Sequence, residues 1–266
     1  MRKPWAIVLL LIAAAFAASA PVKAGIVGAE VGKVEAAPAP NAALPLDLRF
    51  VDETGRVLTL RDAISRLPSI LVFADYTCRT LCGPTLEFAA AGLAKTGLRP
   101  GVDYRLVVIG IDPKDKPAAA QAMRAEHIDS GSEINRAAVF LTGDDAAIRA
   151  VTQAAGLHYY YDAEHDQYAH PAAVYVVGAE GRVRRVLSPL GLDGANLRLA
   201  IVDAGHGAVG TMADRVHLLC YGYDPVKGIY TERITRMLSI AAGVTLVVLL
   251  GGISMMARRE RRSLSS

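Results

Sequence analysis

The stretch SILVFADYTCRTLC, residues 69–82, carries the clearest structural signal in this 266-residue chain. Its first seven residues form an apolar run that ends at Asp75, which is typical of a central strand buried on both faces. Residues 84–94 then have helical character. Cys78 and Cys82 therefore lie where the chain turns from a buried strand into a helix.

Predicted strands and helices alternate on both sides of this stretch. The other predicted strands cover residues 45–51, 57–60, 104–111, 137–142, 172–177 and 182–187, and the other predicted helices cover residues 116–127, 143–155 and 194–204. Turns containing Gly55 and Gly181 join the first and the last pair of strands. This alternation, followed by a late hairpin, predicts an α/β domain with a mixed central sheet flanked by helices.

The N-terminal end of the chain has the layout of a secretory signal peptide. Arg2 and Lys3 precede an apolar run over residues 5–18, and small residues follow the run. A short positive segment, an apolar segment and small residues in that order predict a signal peptide over residues 1–24. An uncleaved membrane anchor is the alternative.

A second apolar stretch, residues 237–257, is predicted to be a transmembrane helix because it contains no charged residue. At about 1.5 Å per residue, its length spans a hydrocarbon core of about 30 Å. Four arginines follow within residues 258–262, and such a cluster belongs on the cytoplasmic side. The sequence therefore predicts a single-pass protein of the bacterial inner membrane, with its main domain in the periplasm and a cytoplasmic tail at residues 258–266. A buried core helix is the alternative.

Between the two apolar stretches, the chain is predicted to contain a linker, one domain and a juxtamembrane segment. Residues 25–44 are rich in Ala, Pro and Gly, which favours a linker. The domain covers residues 45–205, and residues 206–236 connect it to the membrane. A net charge of only +3 argues against a nucleic-acid surface. Three cysteines are too few for a dense disulfide framework.

Three interpretations of Cys78 and Cys82 stay open from the residues alone. Thiols four residues apart face one side of a helix, and a helix N-terminus favours their thiolate forms. The pair is a structural disulfide, a redox-active dithiol, or a pair of soft ligands suited to Cu(I). A cysteine-rich zinc site is disfavoured, because Cys220 is the only other cysteine. Cys220 is interpreted as an unpaired thiol near the membrane, with a transient disulfide or copper contact as the alternative.

An imidazole would complete a copper site built on two thiolates. His170 stands before the predicted strand at residues 172–177. In a thioredoxin-like layout the loop before that strand comes close to the cysteine-bearing helix, so His170 is the best candidate for the third ligand. His158 and His165 are interpreted as surface residues or auxiliary ligands. His127 ends a predicted helix, where a favourable contact with the helix dipole suffices.

These residues together resemble the Sco/SenC family of copper-binding cytochrome c oxidase assembly proteins, over about residues 44–204. The matching motifs are FADYTCRTLC at residues 73–82, GIDPKD at 110–115, LTG at 141–143, and His170 placed ahead of VYVV at 174–177. The segment HLLCYGYDP at residues 217–225, before a C-terminal membrane helix, is similar to one bacterial branch of that family.

The resemblance implies a thioredoxin-like fold and a Cu(I) or Cu(II) site formed by Cys78, Cys82 and His170. It also implies a role in maturing the dinuclear copper centre of cytochrome c oxidase. The expected partners are the copper-receiving oxidase subunit and other periplasmic copper carriers. Asp112 matches an acidic position of the family and is not interpreted as a ligand.

The sequence departs from the family's pattern at three places. Gly83 separates Cys82 from Pro84, whereas proline often follows the second cysteine directly. Pro171 follows His170, where a small residue is more usual. The predicted membrane helix is C-terminal, whereas many relatives are anchored at the N-terminus. The first two departures change the backbone beside two of the expected ligands.

Three functions are compatible with this reading of the sequence. The first is a membrane-anchored copper metallochaperone. The second is a thiol–disulfide reductase that keeps the oxidase's own cysteines reduced, which would use Cys78 and Cys82 without a histidine. The third is a redox or copper sensor. A partner would have to carry that sensor's signal, because the tail after Ala257 is too short for an output domain.

Overall fold

A computed structural model describes residues 34–78, 82–206, 208–224, 227–232, 243–245 and 248–249. The predicted signal peptide and the predicted cytoplasmic tail lie outside these residues. So does the predicted transmembrane helix, apart from five residues of it. Within the described ranges, no helix has the length and apolar character needed to cross a bilayer.

A seven-stranded mixed sheet forms the centre of the fold. The strands in chain order are β1 (Glu35–Ala36), β2 (Arg49–Asp52), β3 (Val57–Thr59), β4 (Ser69–Ala74), β5 (Arg105–Gly110), β6 (Val139–Thr142), β7 (Leu157–His158), β8 (Tyr160–Asp162), β9 (Gln167–Ala169), β10 (Val174–Val177), β11 (Val183–Leu187), β12 (Tyr221–Asp224) and β13 (Ile229–Glu232). The central sheet has the order β11-β10-β4-β5-β6-β2-β3. Strands β4, β5 and β6 are parallel, and the other pairings are antiparallel.

Helices cover both faces of this sheet. They are α1 (Leu60–Ile64), α2 (Cys82–Ala94), α3 (Pro117–His127), α4 (Glu133–Ala137), α5 (Asp145–Ala154), α6 (Gly194–Ala204) and α7 (Met212–Cys220). Apolar residues of α2, α3 and α6 form one layer of the core, and those of α1 and α5 form the other. The predicted mixed sheet flanked by helices is therefore confirmed.

Strand β4 is central because both of its faces are apolar. All six of its residues are buried. Ile70 and Val72 contribute to the core layer under α2, α3 and α6, whereas Leu71 and Phe73 contribute to the opposite layer. A strand buried on both faces has a continuous run of apolar residues in its sequence, so the position predicted for this strand is confirmed.

Two predicted boundaries are wrong for local reasons. The strand predicted at residues 57–60 ends at Thr59, because Thr59 and Asp62 form a capping box that starts α1. The strand predicted at residues 137–142 begins at Val139, because residues 133–137 form the short helix α4, whose N-cap Ser132 accepts a hydrogen bond from Asn135 N.

The segment that follows α6 packs on the domain, although its sequence gave no assignable pattern. Arg198 on α6 forms two hydrogen bonds, of 2.6 and 2.7 Å, with the carboxylate of Asp214 on α7. The guanidinium of Arg185 on β11 lies 5.0 Å from the ring centroid of Tyr223 on β12. The Ser188 hydroxyl donates to the carbonyl of Lys227 at 2.7 Å. Side chains of the domain therefore fix α7 and the β12–β13 hairpin in place.

Candidate metal centre

The turn after β4 holds Cys78 by means of a buried aspartate. Asp75 has no exposed surface, and its Oδ1 accepts hydrogen bonds from Thr77 N at 2.9 Å and from Thr77 Oγ1 at 2.8 Å. The backbone N–H of Cys78 donates to the carbonyl of Asp75 at 3.1 Å. An aspartate that accepts from the residue two positions on is a common way to fix a turn. The side chain of Cys78 is half-buried.

The same carboxylate joins the turn at residues 75–78 (the cysteine turn) to residues 168–170 (the histidine loop). Asp75 Oδ2 accepts a hydrogen bond of 2.8 Å from the backbone N–H of Tyr168, in β9. Tyr168 lies two residues before His170 in the chain. One buried side chain therefore bonds both to the segment that carries Cys78 and to the segment that carries His170.

The ring of His170 is oriented by the backbone carbonyl of the next residue. Its Nδ1 lies 3.1 Å from the carbonyl oxygen of Pro171, so an Nδ1–H donor leaves the Nε2 lone pair for a ligand. Burial lowers the pKa of His170 below its ordinary value, while the Pro171 carbonyl, Cys78 and Asp75 act in the opposite direction. A neutral imidazole is the form that binds metal ions.

Cys82 is the first residue of α2. The predicted junction between strand and helix therefore lies where the sequence puts it, with Cys78 on the strand side and Cys82 at the helix start. Residues 79–81 lie outside the described part of the chain. Among the described residues, no group of three or more His, Cys, Asp or Glu side chains is arranged around a common metal position. Cys78 and His170 are the two predicted ligands whose side chains the structure describes, and Cys78 acts electrostatically on His170.

Sequence reasoning missed two buried acids behind the cysteine turn. Asp75, Asp112 and Asp115 are all buried, and only Asp112 was singled out from the sequence. Asp115 Oδ2 accepts a hydrogen bond of 3.3 Å from Tyr76 N. Burial raises the pKa of Asp115 to about 7; the Tyr76 N–H lowers it, and the charges of Asp75 and Asp112 raise it further. Asp75 was detectable in principle, because it is the polar residue that ends a buried apolar run.

The other candidate histidines lie in other surroundings. His158 is exposed on β7, and the exposed His165 bonds to Asp162 at 2.7 Å. The Asp162 carboxylate raises the pKa of His165. His217 stacks at 6.2 Å on the ring of Tyr221, in the segment that follows α6. His127 lies in the last turn of α3, as expected, and its ring also forms a hydrogen bond of 2.8 Å with Glu87 on α2.

Fold and site together define a class of protein: an α/β domain, consistent with the thioredoxin-like fold, that carries a cysteine pair at a strand–helix junction and a histidine loop fastened beside it. Residues 37–198 match the family model SCO1/SenC, and the chain belongs to that family.

Solved structures support the fold. A putative electron transfer protein from Aquifex aeolicus VF5 is 18% identical with a TM-score of 0.55, and the match covers 64% of this chain and 96% of that protein. Arabidopsis thaliana ScoI, solved with copper bound, is 20% identical with a TM-score of 0.50, over 62% of this chain and 98% of that protein. At these identities the likeness concerns the fold alone. The chain has no significant match among curated protein sequences.

Proposed function

We propose that this protein is a membrane-anchored copper metallochaperone that holds copper through Cys78, Cys82 and His170. It would support maturation of the dinuclear copper centre of cytochrome c oxidase. One observation carries the proposal: the buried carboxylate of Asp75 bonds to the Cys78 turn and to β9 just before His170. Membership of the SCO1/SenC family and the copper held by Arabidopsis ScoI support the same function.

The proposed ligand set suits copper on chemical grounds. Thiolates are soft ligands that favour Cu(I), and imidazole accommodates both copper oxidation states. The N-terminus of α2 favours thiolate formation at Cys82, because unpaired backbone N–H groups there attract negative charge. Copper would be the cargo of this site, passed on by ligand exchange to a receiving subunit of the oxidase with similar ligands.

The redox state of Cys78 and Cys82 would control how much copper the site holds. Both thiols must be reduced to bind copper, and a disulfide between Cys78 and Cys82 would remove two of the three ligands at once. The proposed topology puts this chemistry in the periplasm, with an N-terminal signal peptide and a membrane anchor at residues 237–257. Attachment to the membrane would raise the effective concentration of the loaded site near a membrane-bound oxidase.

The test measures copper stoichiometry and thiolate-to-copper absorption on the reduced full chain. We expect one copper ion per wild-type chain, and we expect Cys78→Ser or Cys82→Ser to abolish tight binding. Cys220→Ser is the matched control, because it removes a thiol of the same chain that the proposed site does not use. Equal copper retention by all three variants would contradict the ligand assignment.

A second candidate function is thiol–disulfide reduction of the oxidase's cysteines. The half-buried Cys78 beside a helix start favours it, because a reactive thiol needs both thiolate stabilisation and access. His170→Ala separates the two functions. It should weaken copper binding strongly without abolishing it, and it should leave dithiol exchange with a small disulfide mostly intact. Unchanged copper affinity in His170→Ala would count against His170 as a ligand.

A further inference from the structure

A second imidazole lies beside the cysteine-bearing helix. His127, the last residue of α3, packs its ring against Gly83, the residue after Cys82. The ring atoms Nε2 and Nδ1 lie 2.5 and 2.8 Å from the position that a Cβ would occupy on Gly83. Any larger residue at position 83 would collide with this ring, because real Cβ contacts are longer. The His127 ring can therefore pack against the start of α2 because residue 83 is a glycine.

A carboxylate fixes the orientation of that imidazole. His127 Nδ1 lies 2.8 Å from Glu87 Oε1, so Nδ1–H donates to the carboxylate. This bond puts the lone pair on Nε2, which lies 3.9 Å from Glu126 Oε2, beyond hydrogen-bond distance. The His127 side chain is only 15% exposed, so surrounding protein holds the ring. Metal-binding histidines commonly donate their other ring nitrogen to a carboxylate in this way.

The ring faces a cavity that Cys78 also lines. The cavity has a volume of about 450 Å³, and its walls include Cys78, Met123, Glu126 and His127. Its described walls do not include His170. The thioether of Met123 adds a further soft group, and its side chain is buried. The cavity therefore places Cys78, a second imidazole and a thioether around one space.

We propose that His127 is a second imidazole ligand for copper, used together with Cys78 while the ion enters or leaves the site. This inference rests on the proposed function. The step is a ligand exchange: a copper–Nε2 bond forms at His127 while the copper–imidazole bond to His170 breaks, and the copper–Cys78 bond is kept. One imidazole replaces another on the copper ion, and imidazole binds metals in its neutral form, so the exchange leaves the copper oxidation state unchanged.

The test removes His170, so that copper must use the second imidazole. The full-length His170→Ala chain is loaded with Cu(I), and X-ray absorption at the copper edge counts the imidazole ligands. We expect one imidazole in His170→Ala and none in the double variant His170→Ala/His127→Ala. We also expect the double variant to bind Cu(I) at least tenfold more weakly in competition with a chromophoric chelator. The matched control is His170→Ala/His158→Ala, which removes an exposed imidazole and should behave like His170→Ala.

A second measurement keeps His127 in place, so its result does not depend on whether the His170→Ala/His127→Ala chain folds. In long-range proton–nitrogen spectra of the His170→Ala chain, Cu(I) should shift Nε2 of His127 and leave Nε2 of His158 in place. An unshifted His127 signal, or equal spectra and affinities for His170→Ala and the His170→Ala/His127→Ala chain, would overturn the second ligand. A wild-type chain without sulfur-bound copper would instead overturn the proposed function, and this inference with it.

Discussion

Replacement of Asp75 by Asn tests whether one buried carboxylate assembles the candidate site. Oδ1 of Asp75 accepts two hydrogen bonds from Thr77, and Oδ2 accepts one of 2.8 Å from Tyr168 N. Asparagine keeps one acceptor oxygen, which can retain Thr77, but its amide nitrogen is a donor. That nitrogen would face the N–H of Tyr168. The variant therefore keeps the turn before Cys78 and loses its bond to β9.

The expected decrease in Cu(I) affinity follows from the lost hydrogen bond between Asp75 and Tyr168 N. A hydrogen bond to a charged group contributes about 1.5–3 kcal/mol, and each 1.4 kcal/mol changes an equilibrium constant about tenfold. Because this bond joins the cysteine turn to the strand before His170, we expect its loss to appear in copper binding. The affinity of the reduced chain for Cu(I) should decrease by about 10- to 150-fold.

The assay is competition for Cu(I) with a chromophoric chelator, with thermal unfolding measured in parallel. Asp52→Asn is the matched control, because Asp52 Oδ1 also accepts from a threonine two residues on, Thr54, and from Arg56 N at 2.9 Å. That aspartate fixes the turn between β2 and β3. Asparagine keeps this acceptor oxygen, so Asp52→Asn removes the charge of another buried aspartate while these bonds remain, and it should not change the affinity for Cu(I). Wild-type affinity in Asp75→Asn would refute the reasoning.

Two further predictions concern charge and packing. Burial, together with the charges of Asp75 and Asp112, raises the pKa of Asp115 to about 7, above the ordinary 3.8. The folded chain thus keeps a proton that the unfolded chain loses, so stability should fall as the pH rises from about 4 to about 7. Asp115→Asn should flatten this dependence in urea unfolding, and a slope equal to that of the wild type would contradict the assignment. Asp214→Ala removes the ion pair with Arg198 that joins α7 to α6, and should cost about 1–3 kcal/mol. Limited proteolysis should then cut residues 208–224 faster, and an unchanged cleavage rate would show that other contacts hold the segment.

The sequence predicts correctly those strands and helices whose signals lie within a few neighbouring residues. The apolar run at residues 69–75 predicted the central strand, because a strand covered on both faces needs apolar residues at every position. The helix that begins at Cys82 and the cysteine pair at the junction followed from the same stretch. Local signals also mislead: Leu60, predicted to end a strand, is the first residue of α1, which the capping box of Thr59 and Asp62 starts.

Contacts between side chains that are far apart in the sequence depend on the tertiary structure. Asp75 and Tyr168 are joined by a single hydrogen bond across 93 residues of sequence, and no local pattern encodes that pairing. The contact between His127 and Gly83 likewise depends on how α3 packs against α2. Periodicity and capping act within a few residues, whereas the position of a side chain in a site depends on packing between elements far apart in the chain. The sequence therefore predicts His170 from its place before a strand and from a family resemblance, whereas the hydrogen bond that joins its loop to the turn before Cys78 is visible only in the fold.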